Sequence, residues 1–250
     1  MKIDYPNPSQ IGLLQSLWLE AFGDEDGFAE HFFTYGFSPD RCRCVTADDR
    51  VVAALYWFDC QFQGRPLAYL YGIATAKACR GQGLCRALLE NTHAHLKYLG
   101  YAGEILVPAG GNLFRMYEKL GYETCASMSE MDCAAGFEPV QLQPVDATEY
   151  GTLRRQYLPE NGVVQEGDNL QFLQTMADFY AGADFLVAVA RTEEFFATEL
   201  LGNTQAAPGI LAALRKNSGK FRIPGSDKPF AMYYPLSDNP APGYFGLAFD

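Results

Sequence analysis

Basic residues and histidine are scarce in this chain: 19 Lys and Arg face 30 Asp and Glu, leaving a formal net charge of -11 over 250 residues with only three histidines. A nucleic-acid binder needs a basic face to displace counterions from phosphates, so that class of partner is excluded. The acid excess suits a cationic small-molecule partner, and it also serves solubility alone. Seven cysteines form no CxxC pair. With so few histidines beside them they define no metal site and read as reduced thiols of a cytoplasmic protein. Cys42 and Cys44 alternate within a strand-like run and fit core packing on one face better than metal ligation. No apolar run approaches the ~18 residues of a membrane span. The opening Met1-Lys2-Ile3-Asp4-Tyr5-Pro6 has no apolar stretch after its basic residue, so no signal peptide is expected. Wholesale disorder is excluded by a composition of 48% hydrophobic and 20% charged residues. Neither a short repeat nor a low-complexity tract interrupts the chain.

At ~150 residues per domain the length allows between one and two domains. Ile11, Leu14, Trp18 and Phe22 recur at helical spacing in a helix over Ser9–Phe22, with Ser9 able to cap it and Gly23 to end it. A second helix is expected over Asp26–Tyr35. Arg41–Ala47, Val51–Phe62 and Leu67–Ala74, separated by turns at Asp48-Asp49 and Gln63-Gly64, read as a meander. Leu84–Leu99 is an amphipathic helix with a stripe of Cys85, Leu88, Leu89, Thr92, Leu96 and Leu99. A strand over Glu104–Val107, a helix over Asn112–Leu120 and a strand over Tyr122–Met128 follow. The pattern then restarts: a strand at Pro139–Pro144, a helix capped by Asp146, a helix over Asn169–Tyr180, and a hairpin of Phe185–Ala190 with Phe195–Leu201. A helix over Pro208–Lys216 and strands at Lys220–Ile223, Phe230–Pro235 and Tyr244–Phe249 complete it. The expected fold class is α/β (α+β), a mixed central sheet with flanking helices. Two domains are expected, 1–134 and a smaller 135–250.

The chemistry concentrates in Ile73-Ala74-Thr75-Ala76-Lys77-Ala78-Cys79-Arg80-Gly81-Gln82-Gly83-Leu84-Cys85-Arg86. This stretch leads from a strand, through a glycine-punctuated loop, into a strong helix. A helix start leaves its first N–H groups unpaired and carries about +0.5 of a charge. Gly81 and Gly83 allow the backbone to turn its amides toward a ligand. Arg80 and Arg86 place cations where the helix dipole disfavours them, which an anion between them would explain. Together these parts describe a pyrophosphate cradle. It is no Walker loop, because Gly-Lys-Ser/Thr is missing, and it has no third glycine of a dinucleotide motif.

Arg80-Gly81-Gln82-Gly83-Leu84-Cys85 resembles the Arg/Gln-x-x-Gly-x-Gly/Ala signature of the GNAT superfamily of acetyl-CoA-dependent N-acyltransferases, with Cys85 where Gly or Ala is usual. Asn112-Leu113-Phe114-Arg115-Met116-Tyr117-Glu118-Lys119-Leu120-Gly121-Tyr122 resembles that family's second landmark, at the right distance. The resemblance covers roughly Met1 to Met128. It implies a GNAT fold binding acetyl-CoA as co-substrate, with no metal. Ile73, Ala74 and Thr75 would form the splayed strand that pairs with the pantetheine arm, Leu106-Val107-Pro108 the other arm of the V. The amides of Arg80, Gly81, Gln82, Gly83, Leu84 and Cys85 would hold the pyrophosphate, with the cation of Arg86 beside them. Tyr117 matches the tyrosine that protonates the leaving thiolate, a task open to a phenol ordinarily titrating near ~10. It could equally be a core aromatic of the Leu113-Phe114-Tyr117-Leu120 stripe. Asn112 is either a CoA contact or the cap of its helix.

A base for the acceptor amine is harder to find, since the strand Ala68–Ala74 has no carboxylate. Glu104 is one candidate, with a solvated face as its plainer fate, and Asp59 is another. His31, His93 and His95 are poor ones, the last two belonging to a helix surface or its packing. The second half resembles a GNAT fold without its cradle: the strand-to-helix turn Leu200–Gly209 lacks Arg, and Pro208 removes an amide. Chains of that kind resemble the tandem-GNAT group of enhanced-intracellular-survival acetyltransferases, in which the terminal carboxylate enters the active site. That implies Asp250 as a base, although a plain edge strand ends the same way. The expected activity is acetyl transfer to a primary amine of a small molecule or peptide, by a monomer or homodimer. The alternative is a non-catalytic acyl-CoA sensor or scaffold. Residues 1–130 carry 11 bases and 15 acids, a net -4, and residues 131–250 carry 8 and 15, a net -7. The more acidic half is therefore the one expected to wall the acceptor side.

Overall fold

Strand-forming and helix-forming runs alternate along the chain, and the computed structural model, which describes residues 1–23 and 27–249, resolves them into two compact units. The first comprises Met1–Asp59, Arg65–Leu106 and Tyr234–Asn239; the second holds Cys60–Gly64, Val107–Tyr233 and the segment from Pro240. The units interleave along the chain because the strand after Tyr122 pairs with strands from the chain's last quarter, as described below.

In the first unit β1 (Lys2–Asp4), β2 (Cys42–Ala47), β3 (Arg50–Phe62), β4 (Arg65–Thr75) and β5 (Gly103–Leu106) lie side by side in chain order. β1 and β3 flank β2 antiparallel, and β5 runs parallel to β4. The meander thus has the expected order, with β1 as an added strand. Its turns are tight because Asp48, Asp49, Gln63 and Gly64 all take positive φ, the twist that suits two-residue hairpins. Cys42 and Cys44 are buried, as core packing requires.

Two helices, α1 (Ile11–Phe22) and α2 (Phe28–Tyr35), bring aromatic rings to this sheet. Trp18 stacks on Phe32 at 4.5 Å and meets Tyr56 of β3 at 5.7 Å and Tyr71 of β4 at 5.8 Å. Ser9 does not cap α1. Asn7 opens a 3-10 turn at Pro8–Gln10 instead, accepting the Ser9 amide at 3.0 Å while the Gln10 side chain accepts from the Asn7 amide at 2.9 Å, a capping box. Asp26, the expected start of the second helix, lies outside the described residues. The crossover from β4 to β5 is α3 (Leu84–Tyr98), which buries Leu84, Leu88, Leu89, Thr92, His93 and Leu96. Cys85 is half-buried, and Leu99, just past the helix end, is exposed.

The second unit carries α4 (Gly111–Glu118), β6 (Glu123–Ala134), β7 (Gln143–Val145), α5 (Ala147–Tyr157), β8 (Val164–Gln165), α6 (Asp168–Gln174) and β9 (Ala177–Ala181). β10 (Phe185–Ala190), β11 (Phe196–Gly202), α7 (Ala207–Ala213), β12 (Ser218–Pro224) and β13 (Lys228–Pro235) follow. Its sheet runs β13-β6-β12-β11-β10-β9-β7. β6 pairs antiparallel with β12 and β13, Glu130 opposite Arg222 and Ser127 opposite Pro229, which is why it belongs to this unit. Asp146 caps α5 as expected, accepting the Glu149 amide at 2.8 Å. The helix expected over Asn169–Tyr180 ends at Gln174. Ala177–Ala181 pairs with β10 instead, burying Ala177 and Phe179 while Asp178 and Tyr180 between and after them stay half-buried, the period of a strand. Tyr244–Phe249 is not a strand. Pro240, Pro242 and Gly243 break the preceding run, and one bridge to Gly162 is all the ladder the segment makes among the described residues.

Candidate active site

β4 and β5 pair over three positions, Leu67 with Gly103, Ala68 with Glu104 and Tyr69 with Ile105. Beyond Tyr69 the edge of β4 is released from β5, so the backbone of Leu70 to Thr75 borders an opening V. Ile73, Ala74 and Thr75, expected to meet a pantetheine arm, lie on that edge. Within it Gly72 has φ +58, and a Cβ there would stand 2.5 Å from Trp18 Cζ3. Motif reading passes over this residue, although an isolated glycine inside a strand pattern is itself the signal of a local break in pairing or a close approach.

The loop after β4 begins at Ala76, whose amide donates to Val52 O at 2.9 Å. One 3-10 turn (Lys77–Cys79) leads to Gly81 and Gly83, with φ +76 and +78, and Gly83 is the N-cap of α3. Only glycine takes such a conformation without strain. Among the described residues the amides of Gly81, Gln82, Gly83, Leu84 and Cys85 have no protein acceptor. A helix N-terminus prolonged by a glycine-turned loop suits an anion with several oxygens, so the backbone fits the pyrophosphate of CoA. The side chains contribute less than their charges suggest. Arg80 Nε donates to Thr75 O at 3.1 Å, which braces the loop, and Gln82 Nε2 donates to Ala78 O at 3.3 Å. Arg86 lies 3.6 Å from Glu90, one turn along α3. Cys85 is half-buried, and burial raises its thiol pKa.

Tyr117 lies in α4, in the second unit, and is buried with its ring 5.6 Å from that of Tyr122. Asn112 is not the cap of this helix. Gly110 holds that position, and the Asn112 side chain accepts from Arg115.

Glu104 overturns the expectation of a solvated face: it has no exposed surface, and its carboxylate lies 3.2 Å from His93 Nε2. His93 in turn stacks on Tyr234, ring centroids 3.9 Å apart. The carboxylate is enclosed and faces α3 through His93. The signal for His93 is its place on the apolar face of α3, one turn after Leu89. Asp59 is also engaged, 3.2 Å from Arg41 Nη1 and accepting from the Tyr101 hydroxyl. His95 is partly buried beside Tyr5 and Arg43. Asp250 lies outside the described residues.

In the second unit β11 runs parallel to β12 over Phe196–Ala197 and Lys220–Phe221, with α7 as the crossover. This repeats β4-α3-β5 on a smaller scale, but the place of the cradle is taken. The amides of Gly136 and Val140 donate to Pro208 O and Gly209 O at 2.9 and 3.2 Å, laying the preceding segment across the start of α7. A Cβ on Gly209 would come 2.5 Å from Val140 Cγ1, so this approach is already closed by protein. The segment from Pro240 is fixed by a different device. Glu199, fully buried, accepts from Arg154 Nε and Nη2 at 2.7 and 2.8 Å, from Tyr150 at 3.1 Å and from Tyr244 at 2.8 Å. Gln165 adds a two-way bond to the Leu247 backbone, Nε2 to O at 2.6 Å and Oε1 from N at 3.3 Å.

Comparison with known proteins agrees with this geometry. The acetyltransferase (GNAT) domain family matches residues 2–125. A GCN5-related N-acetyltransferase from Kribbella flavida superposes with a TM-score of 0.72 at 18% identity, over 94% of this chain and 72% of that one. One from Anabaena variabilis gives 0.73 at 16%, over 94% and 73%. Eis1 from Mycobacterium abscessus gives 0.69 at 10%, over 94% and 74%. At such identities these likenesses establish the fold. No curated protein matches the chain in sequence. The family match over the half that holds the β4 edge and its loop completes the assignment: the chain belongs to the GNAT superfamily and is an N-acyltransferase.

Proposed function

We propose that this chain transfers an acetyl group from acetyl-CoA to a primary amine of a small molecule or peptide. The observation that carries the reading is the run from the released edge of β4 into five amides, unpaired among the described residues, in the loop and first residues of α3. Acetyl-CoA supplies an activated thioester, which the amine attacks directly. The backbone of Ile73, Ala74 and Thr75 aligns the pantetheine arm, and Gly81 to Cys85 hold the pyrophosphate, with Arg80 bracing the loop and Arg86 adding charge. Holding both reactants in line and polarising the carbonyl with fixed amides supplies most of the acceleration. Asn112 contacts CoA from α4, and Tyr117 gives its proton to the departing thiolate. The base is the carboxylate at Asp250, in line with the buried anchoring of the segment before it at Tyr244 and Leu247. Residues 1–134 form the catalytic GNAT domain and 135–250 its degenerate copy, a reading supported by the repeated strand-helix-strand crossover. The acid-rich second half favours a cationic acceptor, and the site of action is the cytoplasm.

Thiol release from acetyl-CoA with a panel of primary amines tests this. Tyr117→Phe should lower kcat on the order of 10²-fold while leaving CoA affinity unchanged, and removal of Asp250 should abolish turnover. Unaltered kcat in Tyr117→Phe removes the proposed acid, near-normal activity without Asp250 removes the proposed base, and silence across the whole panel overturns the acceptor class.

A further inference from the structure

Glu20 stands where two fields oppose a carboxylate. It lies in the last turn of α1, where the helix dipole favours cations, and that turn carries no basic residue. It is also exposed beside the loop that leads to the cradle, where a negative charge works against an anionic ligand. One contact accounts for its place: Glu20 Oε1 accepts the Lys77 amide. Lys77 opens the 3-10 turn Lys77–Cys79, and Ala76 before it has no side chain able to cap that turn. A carboxylate from another helix, 57 residues away in sequence, does what Ser, Asp or Asn does from the N-cap position itself.

The other ties of this loop are local or come from the sheet. Ala76 N is bonded to Val52 O of β3 at 2.9 Å, while Arg80 and Gln82 donate to Thr75 O and Ala78 O within the run itself. Glu20 is the tie that comes from a helix. Two residues before it, Trp18 stands against the β4 edge, 2.5 Å from where a Cβ on Gly72 would lie. So α1 meets the strand edge at Gly72 and the loop at Lys77, bracketing the path proposed for CoA. We propose that Glu20 is a positioning residue for CoA: by capping the Lys77 turn it holds the loop in the shape that presents the amides of Gly81 to Cys85, without touching the cofactor. The loop is then ordered before the ligand arrives, and binding does not bear that cost. The inference rests on the CoA reading above and goes beyond it by assigning part of the cofactor affinity to a residue of α1.

Calorimetric titration with CoA of the wild type, Glu20→Ala and Glu20→Gln tests it without turnover. Both substitutions remove the charge, but glutamine keeps an acceptor oxygen, so the difference between them isolates the bond. Glu20→Ala should bind CoA roughly fivefold more weakly than Glu20→Gln, the loss of one cap. Glu20→Gln should bind at least as tightly as the wild type. With an amine that reacts, the KM for acetyl-CoA should differ between the two variants by the same factor while their kcat values agree within about twofold, the split expected when only binding is affected. If the two variants bind CoA equally, or if Glu20→Gln is as weak as Glu20→Ala, the cap sets no affinity and the inference falls while CoA binding at the cradle stands. If the wild type binds no CoA, the CoA reading falls, and this inference with it.

Discussion

Replacing Gly72 by alanine separates two costs that usually arrive together. At φ +58 any side chain is strained, and the left-handed conformation costs a non-glycine residue roughly 1–2 kcal/mol. A new Cβ at Gly72 would also lie 2.5 Å from Trp18 Cζ3 and 3.0 Å from Tyr56 Cδ2. Trp18 cannot retreat easily, being 4% exposed and stacked on Phe32 at 4.5 Å. Overpacking of a filled core adds about 1–3 kcal/mol. Gly81 supplies the control: its φ is +76, but nothing lies within 4 Å of a Cβ placed there. Gly81→Ala should therefore cost about 1–2 kcal/mol, and Gly72→Ala about 2–5 kcal/mol. For a chain of this size the difference corresponds to a further fall in Tm of roughly 2–12 °C, readable by thermal melting. Equal losses in the two variants would show that Trp18 and the β4 edge are not in the contact described, and the geometry of the V with them.

Two other perturbations probe parts of the molecule away from the cradle. Glu199→Ala leaves the buried Arg154 without its counter-ion and the Tyr150 and Tyr244 hydroxyls without their acceptor. The loss should be about 3–5 kcal/mol by urea unfolding, and a loss below about 1 kcal/mol would refute the anchoring role. The second concerns His95, whose pKa is lowered by burial and then by the nearby Arg43, with Asp4 opposing. A depressed folded-state pKa means the unfolded chain takes up the proton first. Its contribution is then present above the ordinary histidine value of about 6.5 and lost as pH falls below it. Tm should drop on acidification through that window, less so in His95→Gln; identical pH slopes in the two proteins would contradict this.

The elements around the cradle were legible in the sequence because each rests on a local rule. The β4 edge, the two glycines and the amphipathic run of α3 all lie between Ile73 and Leu99, and no distant contact is needed to read them. Gly83 ends a loop and starts a helix whatever the rest of the chain does, and Asp146 caps α5 for the same reason.

What the sequence concealed depends on partners far away along the chain. Glu104 reads as a surface residue until β5 is placed under α3, where His93 meets it 3.2 Å away. Nothing local distinguishes a helix over Asn169–Tyr180 from a short helix followed by β9, because only pairing with β10 decides it. Tyr244 to Phe249 is as apolar as a core strand, yet it is held by the Glu199 carboxylate and the Gln165 amide, side chains 45 and 82 residues away from their partners Tyr244 and Leu247. The same distinction explains the uneven legibility of the site. A cradle made of backbone amides needs only glycines in the right places, so it shows in the letters. A base is a single carboxylate defined by what surrounds it, and the burial of Glu104 against His93 is a fact no spacing rule could have supplied.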